Sequence, residues 1–136
     1  MSRISPLSDA AVWQIIERAR AQAQQQGFAV CIGVVDDAGL LRGFLRMDDA
    51  VPGAIDVSIK KARMAALFRT DSAEIGAAAQ PGGAIYTLEA TNGGLISFGG
   101  GIVLRGGDER PLGAVGVAGA TLAADQSLAL HAAGRA

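Results

Sequence analysis

The chain has 136 residues, half of them hydrophobic, with a formal net charge of −1. That length predicts one domain over residues 1–136 with a real hydrophobic core, and the charge balance argues against a nucleic-acid binder, which would carry a basic face. A single cysteine, Cys31, excludes an internal disulfide, and no apolar run approaches the ~20 residues of a membrane helix.

The first residues are polar and lack the apolar stretch of a signal peptide, so the protein is expected to be soluble and cytoplasmic. Ser8 can cap a helix with Asp9 in its first turn. Val12, Ile15, Ile16, Ala19 and Ala23 recur at helical spacing, and Gly27 supplies the stop. Trp13 lies off this stripe, as a partner contact or folded over a loop. Residues 29–35 (AVCIGVV) are almost unbroken apolar and β-branched. They predict a strand buried on both faces, hence central in its sheet. Within that run Cys31 reads as a buried structural thiol, since no charge lies beside it to activate it. Asp36 to Gly39 form a hairpin turn with Gly39 left-handed. Residues 40–47 return as a strand, with Arg42, Phe44 and Arg46 on one face and Leu41, Leu45 and Met47 on the other.

Pro52 and Gly53 break the chain before a helix over residues 55–68. Ile55, Ile59, Ala62 and Ala66 form its expected core stripe, and Asp56 and Lys60 are spaced to pair. Lys61 falls on a small or apolar flank with Ala54, Ser58, Ala65 and Phe68. There a lysine either snorkels to water or reaches a ligand or carboxylate. Met64, Leu67 and Phe68 leave this helix apolar nearly all round, which calls for a cover. We expect a second subunit as that cover, with Met64, Phe68 and Trp13 in a two-fold contact.

Thr70 or Ser72 can cap a short helix through Ala79, and residues 84–90 suggest one more helical turn. From Pro81 onward, glycines cluster at 82–83, 93–94, 99–101 and 106–107. Between them lie β-prone runs at 95–98 and 102–105, which predict a tight hairpin. Such clusters make turns, or they expose backbone amides to an anion or a flat ligand; both readings stay open. Residues 112–118 (LGAVGVA) form a last strand with one nearly smooth face of Ala114, Gly116 and Ala118, against which a helix can pack closely. Residues 121–133 form a final helix with Thr121 as cap. The order is helix, two strands, helices, three strands, helix. It predicts an α+β domain of five antiparallel strands, most simply with the helices on one face.

No phosphate loop, dinucleotide fingerprint or zinc pattern is present. His131 and Cys31 are the only residues of their kinds, so no metal site is expected. A serine triad would have to use His131, which reads better as a solvent-facing residue.

The segments VVDDAG, RMD, PGAIDVSIKKARMAALF, PGGAIYTLEATNGGLISFGGGIVL and LGAVGVAG, in that order, resemble the GlcG/HbpS family of haem-degrading proteins (DUF336). They are also similar to the C-terminal part of PduO-type proteins. The resemblance covers residues 7–133. It implies a profilin-like α+β fold with a five-stranded antiparallel sheet, and homo-oligomers, dimers or octamers built from them. It further implies haem as a cofactor, or a place in glycolate or diol catabolism. The family's Lys-Ala pair matches Lys61–Ala62, and its glycine segments match Asn92 to Gly94 and Phe98 to Gly101. Two functions from different classes follow. In the first, the protein binds a small anionic ligand or haem: Lys61 and Arg46 hold carboxylates or propionates, and Asn92, Phe98, Gly99, Gly100 and Gly101 line the pocket. In the second, it is an enzyme or enzyme accessory acting on a small hydroxy- or oxo-acid, with Lys61 as cationic electrophile and Glu89 as acid or base.

Overall fold

The computed structural model describes residues 7–135. Helix α1 (Asp9–Gln26) begins where Ser8 Oγ accepts from the Ala11 amide and ends at left-handed Gly27. Its buried residues are the five of the expected stripe. Strands β1 (Cys31–Asp36) and β2 (Leu41–Arg46) form a hairpin. Asp36 Oδ1 closes the turn by accepting from the Ala38 and Leu40 amides, and Gly39 has φ +78°. Then come α2 (Gly53–Phe68), α3 (Ser72–Ala79), a 3-10 turn (Leu88–Ala90), β3 (Gly101–Arg105), β4 (Pro111–Ala118) and α4 (Leu122–Ala132).

Among the described residues the sheet has four antiparallel strands in the order β2-β1-β4-β3, with β1 central and buried as its composition predicts. This corrects the five-strand expectation: residues 95–98 form no strand. The reason lies on the outer edge of β3. Ser72 Oγ accepts from the Gly101 amide at 2.9 Å, and Asp71 Oδ1 accepts from the Val103 amide at 2.9 Å. Two side chains at the start of α3 thus satisfy donors that a fifth strand would otherwise pair. Arg135 pins Asp71 from the C-terminal side at 2.9 Å.

The helices lie on both faces of the sheet, another departure from the simplest assembly. On one face α1 and α4 cover Ile32, Val34, Ile102, Leu104, Val115 and Val117. On the other, α2 packs over Val35, Val103 and Ala114 through Ala62, Ala65 and Ala66. A bulge between Val34 and Val35 makes Arg42 an extra residue in β2. Its guanidinium reaches Leu7 O and Asp9 at the start of α1, while Phe44 packs beside α2.

The smooth face of β4 does what its composition suggested. A Cβ at Gly116 would collide with Ser58 O and sit 2.8 Å from the Ala62 nitrogen, so α2 rests on bare backbone. That close approach shifts the buried side of α2 to Ala54, Ser58, Lys61, Ala62, Met64, Ala65 and Ala66. Ile55 and Ile59 are only partly covered. Met64 does not await a second subunit. It is fully buried against Ile75 and Leu95, with Leu67 and Leu88 beside them, so the chain's own excursion between α2 and β3 is the cover. Trp13 and Phe68 remain exposed. Among the described residues no helix is long and apolar enough to cross a membrane.

Candidate ligand recess over a buried ion pair

Because α2 lies so close to β4, Lys61 cannot snorkel: its side chain has no exposed surface. Of the two readings left open, it is the carboxylate that holds. Nζ donates to Val117 O at 2.8 Å and to Asp125 Oδ2 at 3.1 Å. The Phe98 ring covers the ammonium, its centroid 5.0 Å away. Asp125 sits in the first turn of α4, where the helix dipole favours a carboxylate, and its Oδ1 accepts from the Ala120 amide at 2.9 Å. Burial pushes the Lys61 ammonium below its ordinary range, and the Asp125 charge opposes that shift without overcoming it.

The glycine triplet is explained by this lysine. A Cβ at Gly100 would lie 2.7 Å from Lys61 Nζ and 2.6 Å from Val117 O, and its φ of +124° suits only glycine. A Cβ at Gly101 would collide with Lys61 O. The two amides are not exposed at a hairpin tip, as the sequence suggested. The Gly100 amide donates to Gln126 Oε1 at 2.8 Å, and that of Gly101 to Ser72. Here glycine makes room for α2 rather than offering donors to an anion.

Outside this pair lies a recess of about 440 Å³. Ala73, Gly76 and Ala79 of α3 form one wall, with Pro81, Tyr86, Phe98, Gly99 and Leu122 around the rest. Ser97 and Glu89 supply polar atoms: Glu89 Oε2 accepts from the Ser97 amide at 2.8 Å and from its hydroxyl at 2.6 Å. That chelate fixes residues 89–97 beneath the recess. Phe98 and Tyr86 expose about half their surface here, 45% and 55%, a large aromatic outlay for a small domain.

The candidate residues therefore divide. Lys61, Phe98, Gly99, Gly100, Gly101 and Glu89 come together at the recess or directly behind it. Asn92 does not: it is exposed in a left-handed turn, with its carbonyl accepting from Arg63 at 2.9 Å. Arg46 does not either. It lies on the opposite edge strand, three strand spacings or ~14 Å from β3. There it binds Ala50 O at 3.1 and 3.0 Å and lines a second depression of about 570 Å³ with Arg20, Phe28, Met47, Asp48 and Asp49. Sequence reasoning passed over Tyr86, Leu122, Asp125 and Gln126. Asp125 had one usable signal, its place just inside a Thr121-capped helix, but nothing local ties it to Lys61.

The family model described as haem-degrading protein HbpS-like matches residues 7–134, and the chain belongs to that family. It is 36% identical over 130 residues to an uncharacterised 15.0 kDa protein of the dhaT-dhaS intergenic region of Citrobacter freundii, covering 93% of this chain and 89% of that one. To the corrinoid adenosyltransferase PduO of the same organism it is 34% identical over 118 residues, 85% of this chain but only 35% of that protein. A solved PduOC:haem complex superposes with a TM-score of 0.89 at 31% identity, covering 96% of this chain and 94% of that one.

Proposed function

We propose that the protein binds a flat, largely apolar small molecule in the recess walled by α3, Tyr86, Phe98 and Leu122, and that haem is its ligand. The observation that carries this reading is the paired exposure of Tyr86 and Phe98 on one cavity, in a family with a relative crystallised as a haem complex. Aromatic and aliphatic side chains offer faces on which a porphyrin can stack, and the small residues of α3 and Gly99 let it come close. The donor set fits a haem iron through oxygen: Tyr86 lines the recess, and a tyrosine is an established haem ligand. Bound haem would supply the redox chemistry of its iron. The chain's own part is to hold it: Phe98 presents a ring face, Lys61 fixes that ring from behind, and the Glu89–Ser97 chelate keeps the floor rigid.

The alternative is turnover of a small hydroxy- or oxo-acid by Lys61 and Glu89. The geometry favours it less, because the Lys61 ammonium is enclosed behind Phe98 with two of its three donors on Val117 O and Asp125. Self-association belongs to the same proposal through the family, with exposed Trp13 and Phe68 as candidate contacts. Light scattering coupled to gel filtration tests it: a monomeric mass at micromolar concentration removes it. Haem titration followed at the Soret band tests the main reading. Saturation at one haem per chain supports it; a linear, unsaturable rise, with turnover of a hydroxy-acid, would favour the enzyme.

A further inference from the structure

Resting on the haem reading, the donor inventory goes one step further. Among the described residues every soft or borderline iron ligand is placed away from the recess. His131 is in the last turn of α4 and is not among the residues lining the recess. Cys31 is buried in β1 in a cluster with Ala50, Ala54 and Ala118. Met64 is sealed beneath α3, and Met47 lies in the depression on the other edge with its sulfur accepting from the Val30 amide. Met1 lies outside the described residues. The recess itself offers side-chain oxygen: the Tyr86 phenol, Glu89, whose Oε2 is engaged by Ser97, the Ser97 hydroxyl that makes that bond, and the Gln80 amide, whose nitrogen donates to Ala77 O. Glu89 is also the one carboxyl side chain among the lining residues, and no lysine, arginine or histidine lines the recess. The Lys61 charge behind Phe98 is balanced by Asp125.

We infer that this site discriminates porphyrins by the charge of their metal, taking a trivalent, ferric-type core through Tyr86 and holding it less tightly on reduction. A ferric porphyrin core carries a net positive charge, and a ferrous, zinc or metal-free core carries none. A phenolate oxygen and a nearby carboxylate therefore attract the first electrostatically and gain little from the others. Hard oxygen donors suit the trivalent ion for the same reason. On binding, the Tyr86 O–H bond breaks, the proton passes to solvent, the oxygen–metal bond forms and the water or chloride on the metal leaves. One electron from added dithionite reduces the iron; the oxygen–iron bond then breaks and the phenol regains one proton.

The experiment compares ferric haem, gallium(III) protoporphyrin, zinc(II) protoporphyrin and metal-free protoporphyrin on the wild-type protein, Tyr86→Phe, Glu89→Gln and Met47→Leu, with binding read by absorbance and fluorescence. Gallium mimics ferric iron but is not reduced, so dithionite should lower haem affinity to that of zinc porphyrin and leave gallium porphyrin binding unchanged. In Tyr86→Phe, affinity for the two trivalent porphyrins should fall at least about tenfold, while zinc and metal-free porphyrins bind as before. Glu89→Gln should narrow the trivalent preference by a smaller factor. Trivalent binding unchanged in Tyr86→Phe overturns the inference and leaves the haem reading standing. Loss in Met47→Leu instead moves the site to the opposite edge and also overturns it. Failure of the wild-type protein to bind any of the four overturns both.

Discussion

The two faces of the sheet are built on opposite principles. Under α1 and α4 the strands present Ile32, Val34, Ile102, Leu104, Val115 and Val117, and contact is made by branched side chains. Under α2 the face mixes Val35 and Val103 with Gly101, Ala114, Gly116 and Ala118, and at Gly101 and Gly116 contact is made by backbone. A side-chain face can give up a methyl group and partly relax. A backbone face has no such slack, because an added Cβ meets main chain that cannot turn aside. The same closeness traps Lys61 without water and forces it onto Asp125. The less tolerant face is thus also the one that carries the charge and supports the recess.

The sharpest break of this comparison is Gly116→Val. Its Cβ meets Ser58 O and the Ala62 backbone, so the loss should exceed ~4 kcal/mol, enough to prevent folding of a marginal domain. Soluble yield and urea unfolding would measure it; near-wild-type stability would mean α2 does not rest on β4. Next comes Lys61→Met, which leaves Asp125 buried and unpaired and should cost ~3–5 kcal/mol. The double variant Lys61→Met/Asp125→Leu should recover most of that loss in the same urea assay, since both charges are then gone.

The pair also predicts a pH dependence. Burial lowers the Lys61 pKa in the fold from 10.5. Between the lowered value and 10.5 the unfolded chain therefore holds more protons than the folded one, and stability contributed through this group rises with pH across that window. The contribution is lost as pH falls through the folded value. Unfolding free energies of wild type and double variant, compared at rising alkaline pH, should shift in favour of wild type; a constant difference would refute the lowered pKa. On the side-chain face, Ile102→Val should cost only ~0.5–1.5 kcal/mol in denaturant unfolding. The smallest effect concerns Cys31, whose thiol pKa burial raises while Arg46 tempers it. In the native protein a thiol reagent at mildly alkaline pH should leave it unmodified, and unfolding should release it at once.

Much of the local structure was legible beforehand. The α1 stripe, its Ser8 and Gly27 ends, the central position of β1, the Gly39 turn, the Asp56–Lys60 pair at 3.0 Å and the Thr121 cap each follow from spacing or residue type within a few positions. The smooth face of β4 was legible too, because alternation along a strand assigns faces directly. Less of the site was readable. Lys61 stood out as a cation on an apolar flank, yet its partner lies 64 positions away. Tyr86, Leu122 and Gln126 carry no local pattern that marks them.

What the sequence determined by itself, then, is whatever short-range sterics decide: helix stripes, caps, turns and the α+β order. Tertiary structure alone decided that the sheet stops at four strands, because Asp71 and Ser72 reach the β3 edge only once α3 has packed. It decided that Met64 is covered by its own chain. It also decided what the glycine triplet is for. The same glycines could have exposed amides to a ligand or admitted a neighbour, and the choice rests on α2 lying against β4 closely enough to drive Lys61 beneath Gly100, a distance no local pattern encodes.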